Sequence, residues 1–120
     1  MKNFICLTLI LSLILCGCGN NKSNEKELIS GRNAKIEVIN NSAVLVDVRT
    51  TEEYNKEHIS GSLSIPLDSI EKIEKEVSSK DKILIVYCSS GNRSKKAKEK
   101  LLDMGYKTVY DMGSMINWYE

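Results

Sequence analysis

Two short apolar runs constrain this 120-residue chain more than anything else in it: Val44-Leu45-Val46-Asp47-Val48 and Ile83-Leu84-Ile85-Val86-Tyr87. Neither alternates between apolar and polar residues as a strand with one wet face does. Both therefore read as strands buried on two sides, the habit of parallel sheets covered by helices. From Ser30 onward, apolar runs and amphipathic stretches take turns, which is the pattern of an α/β domain. The length accommodates one domain.

After the first run, Thr50-Thr51-Glu52-Glu53 offers a capping box for a short helix that carries Tyr54 inward. A second, short strand is expected from Ile59 to Ile65, with a turn at Gly61 and a stop at Pro66. Asp68 is placed to cap a helix in which Ile70, Ile73 and Val77 recur at helical spacing. Ser78 to Asp81 forms the loop into the second run. Further on, Ala97, Leu101 and Met104 mark one helical face, and Gly105 suits its C-terminal stop. Tyr106 to Met112 reads as the last strand. Met115, Trp118 and Tyr119 read as a terminal helix packing its large side chains back on the core. Ala34 to Ile39 is ambiguous, because Ile36 and Val38 suit a strand while Ser30 and Ala34 suit a helix start.

The amino terminus has a different character. Met1-Lys2-Asn3 is a short basic start, Phe4 to Leu15 is apolar, and small residues follow. That is the layout of an export signal, too short for a comfortable membrane span. Leu15-Cys16-Gly17-Cys18 resembles the lipobox of bacterial lipoproteins, with Leu15, Gly17 and Cys18 in its aliphatic, small and lipid-bearing positions. The resemblance implies a lipoprotein signal peptide at residues 1–17 and a lipid on Cys18. The remainder would sit outside the cytoplasm, anchored to the bacterial cell membrane, since several acyl chains hold a protein stably where one does not. Residues 18–29 are polar and aperiodic and read as a lipid-anchored flexible tether, leaving residues 30–120 as the domain.

Of the four cysteines, Cys6 and Cys16 leave with the signal and Cys18 takes lipid. Cys88 then remains as the lone thiol, and the domain has to hold together without a disulfide. The chain has 17 basic and 16 acidic residues, so loss of Lys2 balances the two. Nothing in that balance points to nucleic acid, and no residue pattern calls for a metal or cofactor. The cluster Lys95-Lys96-Ala97-Lys98-Glu99-Lys100 reads as a solvated helix face, with attraction of anions toward Cys88 as a lesser role. Oligomeric state is not legible.

Cys88 closes the second apolar run and is followed by Ser89-Ser90-Gly91-Asn92-Arg93-Ser94 and a Lys-rich helix. A thiol at the carboxyl end of a buried strand, facing a turn of small residues, is placed for chemistry. Backbone N–H groups in such a turn can converge as an anion-binding nest. The helix dipole adds partial positive charge, and Arg93 adds a full one. Together they favour the thiolate, the nucleophilic form of cysteine.

The chain resembles the single-domain rhodaneses, the thiosulfate sulfurtransferase family. The resemblance is carried by Leu45-Val46-Asp47-Val48-Arg49 with Glu53-Tyr54 and His58-Ile59-Ser60-Gly61-Ser62, then by the Cys88 to Ser94 turn. Leu102-Asp103-Met104-Gly105-Tyr106 and Met112-Gly113-Ser114-Met115-Ile116-Asn117-Trp118 complete it. It implies an α/β domain with a five-stranded parallel sheet flanked by helices, and it makes Ser30 to Ile39 helical. It implies transfer of sulfur from a thiosulfate-like anion to Cys88 as a persulfide, and from there to a thiol or cyanide acceptor. Ser89, Ser90, Gly91, Asn92, Arg93 and Ser94 are then the substrate-binding turn. Arg93 is suited to grip sulfonate oxygens with both prongs, and Gly91 to adopt a backbone angle that a Cβ resists. Asp47 and Arg49, at the carboxyl end of the neighbouring strand, are supporting residues: Arg49 either meets the anion or, as the stronger reading, serves an Asp47-centred network. His58 stays outside the catalytic set, because displacement by a thiolate needs no base.

Two other classes compete. Related phosphatases place five residues between cysteine and arginine, whereas four separate Cys88 from Arg93. Inactive rhodanese domains that only bind typically lack the cysteine, which is present here. A persulfide carrier serving an envelope partner protein keeps the same chemistry, and the sequence leaves it open.

Overall fold

The computed structural model describes residues 27–120. The expected signal peptide, Cys18 and most of the expected tether lie outside the described residues. Within them, helix α1 spans Gly31–Asn41, strand β1 Val44–Asp47, helix α2 Thr51–Lys56 and strand β2 Leu63–Ser64. A 3-10 turn at Leu67–Lys72 runs into helix α3 at Ile73–Glu76. Strand β3 (Leu84–Cys88), helix α4 (Asn92–Asp103), strand β4 (Val109–Ser114) and a 3-10 turn at Met115–Tyr119 follow.

The apolar runs do what two-sided burial requires. Side chains alternate across a strand, so Val46, Val48, Leu84, Val86 and Cys88 face one layer, with Ile70, Ile73, Ala97 and Leu101. Leu45, Ile85 and Tyr87 face the other, with Ala34, Ile59 and Met112. Every residue of β3 is buried. At about 1.5–3 kcal/mol for each large apolar side chain removed from water, these two layers hold the domain without a disulfide.

All strands are parallel, in the order β2-β1-β3-β4. This corrects the expected five strands to four among the described residues. At the β4 edge of the sheet, the Ile29 N–H donates to the Asp111 carbonyl at 2.9 Å. One backbone bond does not make a ladder. Ile29 also packs on the core, so folded packing begins upstream of residue 30, inside the segment read as tether.

Other elements differ from expectation for local reasons. The strand expected over Ile59 to Ile65 shrinks to Leu63–Ser64. Ahead of it, the Ile59 N–H bonds the Tyr87 hydroxyl at 3.2 Å, and Ser62 returns both its N–H and its hydroxyl to the Ile59 carbonyl. Those groups are committed to a turn before a ladder can claim them. Burial pushes the Tyr87 phenol up to about 12, so it stays a neutral hydrogen-bonding post. Asp68 caps nothing. The 3-10 turn follows Pro66 without a side-chain cap, and Ser69 at φ −128°, ψ 36° interrupts it. Ile70, Ile73 and Val77 are nevertheless buried, so the spacing identified the face, and the expected helix is a 3-10 turn running into the short helix α3. The last strand starts at Val109, because Tyr106 is buried and donates its hydroxyl to the Val77 carbonyl at 2.6 Å.

The helical reading of Ser30 to Ile39 holds. Ser30 caps α1 by accepting the Asn33 N–H at 3.1 Å. Gly31 opens the helix where a Cβ would collide with the Asn117 carbonyl oxygen, so α1 lies directly against the terminal turn. Met115 and Trp118 pack on the core, while Tyr119 is largely exposed.

Candidate active site

Strands β1 and β3 are adjacent and in register from Val44 with Leu84 to Asp47 with Tyr87. Their carboxyl ends therefore open side by side, at the edge where α/β sheets build sites. Asp47 and Arg49 arrive from one strand and Cys88 from the other.

Cys88 is fully buried, and the turn folds back over it. The Gly91 N–H donates to Sγ at 2.9 Å. Ser94 Oγ lies 3.4 Å from Sγ and donates to the Gly91 carbonyl at 3.1 Å. Gly91 itself sits at φ 97°, ψ −15°, a left-handed conformation that a side chain disfavours. That angle lets the chain reverse directly after the N–H that meets the sulfur. It also places the start of α4, with its unpaired N–H groups and positive dipole end, beside Cys88. Sulfur thus has one backbone donor, one hydroxyl neighbour and a helix terminus, with no acidic side chain bonded to it among the described residues.

Arg93 is not open. Its Nη1 and Nη2 donate to Glu53 Oε1 and Oε2 at 2.6 and 3.0 Å. Ser89 Oγ donates to Glu53 Oε2 at 3.0 Å, so the same carboxylate also holds the turn's first residue. Glu53 meanwhile completes the expected capping box of α2, receiving the Thr50 N–H at 3.4 Å and the Thr50 hydroxyl at 3.2 Å. The Arg93 guanidinium, followed by Ser89 and Thr50, holds the Glu53 carboxyl down to about 2. Arg93 is raised in return, chiefly by its bond to Glu53.

Asp47 and Arg49 make the buried network. Arg49 Nη2 meets Asp47 Oδ2 at 2.7 Å and the Glu57 carbonyl at 2.6 Å. Its Nε and backbone N–H both reach Asp47 Oδ1, at 3.0 and 2.9 Å. Arg49 is only 6 % exposed, and its guanidinium lies over the Tyr87 ring. Both groups serve the architecture under the site. His58 stacks on Tyr54 and bonds its carbonyl through Nδ1 at 2.8 Å, and it is not among the groups bonded to the sulfur.

Ser90 and Asn92 face the opposite flank. With Gly91, Lys95, Lys98, Leu28 and Asp111 they line an open cleft of about 340 Å³. Of the residues expected at the site, Cys88, Gly91 and Ser94 converge on the sulfur, Ser89 and Arg93 on Glu53, and Ser90 and Asn92 on this cleft.

Residues 25–120 match the rhodanese-like domain family. The chain belongs to that family. It is 41% identical over 71 residues to thiosulfate sulfurtransferase PspE of Escherichia coli (strain K12), a match that covers 58% of this chain and 68% of that one. It is also 41% identical over 68 residues to the putative sulfur carrier protein YrkF of Bacillus subtilis (strain 168), covering 57% of this chain and 36% of that protein. A solved rhodanese with anions from E. coli superposes with a TM-score of 0.60 at 38% identity, covering 62% of this chain and 89% of that one. This rhodanese-like domain is a sulfurtransferase of the rhodanese type.

Glu53 is the residue that sequence reading missed. Its place in the capping box was visible, but a capping glutamate has lone pairs to spare, and nothing local announces where they go. The one available signal was the arginine opening α4, which in a crowded turn needs an acidic partner.

Proposed function

We propose that this rhodanese-like domain moves a sulfane sulfur from thiosulfate or a related donor, through a persulfide on Cys88, to a thiol or cyanide. The Cys88 thiolate attacks the outer sulfur of thiosulfate. The sulfur–sulfur bond of the donor breaks, sulfite leaves with the electron pair, and a Cys88–S–S⁻ persulfide remains. An acceptor thiolate or cyanide then attacks the terminal sulfur, forming a new persulfide or thiocyanate and returning the Cys88 thiolate. Both steps are displacements at sulfur, governed by nucleophile and leaving group and needing no base. The observation that carries this reading is the Gly91 N–H on Cys88 Sγ at 2.9 Å, a donor held where the thiolate charge sits before the first half-reaction and returns in the second.

Intact-mass measurement of the purified domain tests it. Thiosulfate should add the mass of one sulfur atom, cyanide should remove it, and Cys88→Ser should abolish the gain. Continued thiosulfate turnover by that variant rules the assignment out.

A second reading, a carrier that hands the persulfide to a partner protein, draws on the name of the Bacillus relative. In that case the persulfide forms but cyanide and small thiols discharge it slowly. For either purpose the proposed location is outside the cytoplasm, held to the membrane through lipid on Cys18.

A further inference from the structure

The two arginines beside the cysteine turn are closed in ion pairs, while Lys95 and Lys98 line the cleft on its other flank. Arg49 is buried against Asp47, and Arg93 has both terminal nitrogens on the Glu53 carboxylate. A donor that ends in a sulfonate therefore meets no free guanidinium fork and no net positive charge on this side of the site. We infer that Glu53 is a specificity-determining residue. By holding the fork and cancelling the charge of Arg93, it weakens the site for divalent sulfonate donors and favours organic persulfides, whose leaving end carries no oxyanion. The inference rests on the sulfur-transfer reading above.

The competition is unequal because Glu53 is tethered. It is fixed on the first turn of α2 by the Thr50 N–H and hydroxyl and is met from the other side by the Ser89 hydroxyl. A group delivered by the same chain acts at an effective concentration of roughly millimolar or more. A free dianion below that concentration loses the contest for Arg93. About a third of each side chain is exposed, so solvent anions reach the pair, and the outcome is set by affinity and not by access. An organic persulfide avoids the contest. Cys88 thiolate attacks its outer sulfur, the sulfur–sulfur bond breaks, and the departing thiolate takes the proton of the donor's S–H. A free thiol and the Cys88 persulfide result, with no new negative charge for Arg93 to receive.

Glu53→Gln separates charge from structure, since glutamine also completes a capping box and still accepts one hydrogen bond from Arg93. In a Cys88→Ser background, where thiosulfate binds without reacting, calorimetric titration should show Glu53→Gln tightening thiosulfate by at least about threefold, the effect of unmasking one charge near a dianion. The gain should shrink as salt is raised. With Cys88 present, the variant should lower KM for thiosulfate and raise the ratio of kcat/KM for thiosulfate to kcat/KM for a neutral-tailed alkyl persulfide by at least about threefold. Thermal unfolding of both proteins, plus Ser89→Ala as a milder loosening of the carboxylate, guards against a folding defect. Unchanged or weaker thiosulfate binding in a folded Glu53→Gln protein makes Glu53 a brace only and overturns the proposal. If wild-type Cys88 takes sulfur from neither donor, the sulfur-transfer reading fails, while the titration still decides the role of Glu53.

Discussion

Glu53 and Arg93 stand 40 positions apart in the chain, yet their side chains close a two-pronged ion pair at 2.6 and 3.0 Å. One opens α2 and the other opens α4. Their contact is a strut between the two helix starts that flank the cysteine turn, and it gives the mouth of the site its own acid response.

Stability should therefore record Glu53 in acid. Its carboxyl lies near 2 in the folded protein against an ordinary 4.5. A depressed acid contributes stability that is complete above its unfolded value and is lost as pH falls through its folded value. The contribution is thus whole above 4.5, declines below that, and is gone near 2. Urea midpoints of wild type and Glu53→Gln should be separated at neutral pH and converge as pH approaches 2. A constant gap across that range means that the pair adds nothing pH-dependent.

Gly91→Ala tests the turn itself. Holding alanine at φ 97° costs about 1–3 kcal/mol, and relief of that strain should shift the turn and lengthen the Gly91 N–H contact to Cys88 Sγ. Sulfur transfer should fall much further than stability, with the variant folded at room temperature by circular dichroism. Full activity would mean that this N–H does not support the sulfur.

Asp47→Asn strikes the buried network and not the chemistry. It leaves the Arg49 charge enclosed without its counter-ion, and breaking a buried pair in this way costs about 3–5 kcal/mol. Arg49→Lys should be almost as damaging. A lysine cannot reproduce the forked contacts to Asp47 together with the bond to the Glu57 carbonyl. Chemical denaturation reads both effects, and persulfide formation measured well below the unfolding midpoint should survive in each.

What the residues disclosed in advance follows a physical line. Two-sided burial writes itself into the order of residues, so β1 and β3 were legible from Val44 to Val48 and Ile83 to Tyr87. The turn after Cys88 was legible because its small residues and glycine are local too. Capping by Thr50 and Glu53 spans three positions and was visible, whereas the second use of the same carboxylate, 40 residues away, was not. The expected strand over Ile59 to Ile65 failed similarly. Its length was decided by the Tyr87 hydroxyl arriving from another strand to take the Ile59 N–H. Periodicity encodes which side is buried, and long-range side-chain bonds then decide where a strand can pair.

The remaining prediction concerns Cys18, which lies beyond the described residues. A lipid there should hold the full-length protein to bacterial membranes, and Cys18→Ala should release it or leave it uncleaved. Two structural features bear on what anchoring would do. The chain enters the domain at Leu28 and Ile29, beside β4, and Leu28 lines the same cleft as Ser90, Gly91 and Asn92. A tether arriving there would tie the Ser90 to Asn92 flank of the cysteine turn toward the anchor. Fractionation of cells expressing the full-length chain should find it with membranes and lacking residues 1–17 by mass. Recovery mainly from cytosol with those residues intact would remove the anchor, and with it the proposed extracytoplasmic setting for Cys88.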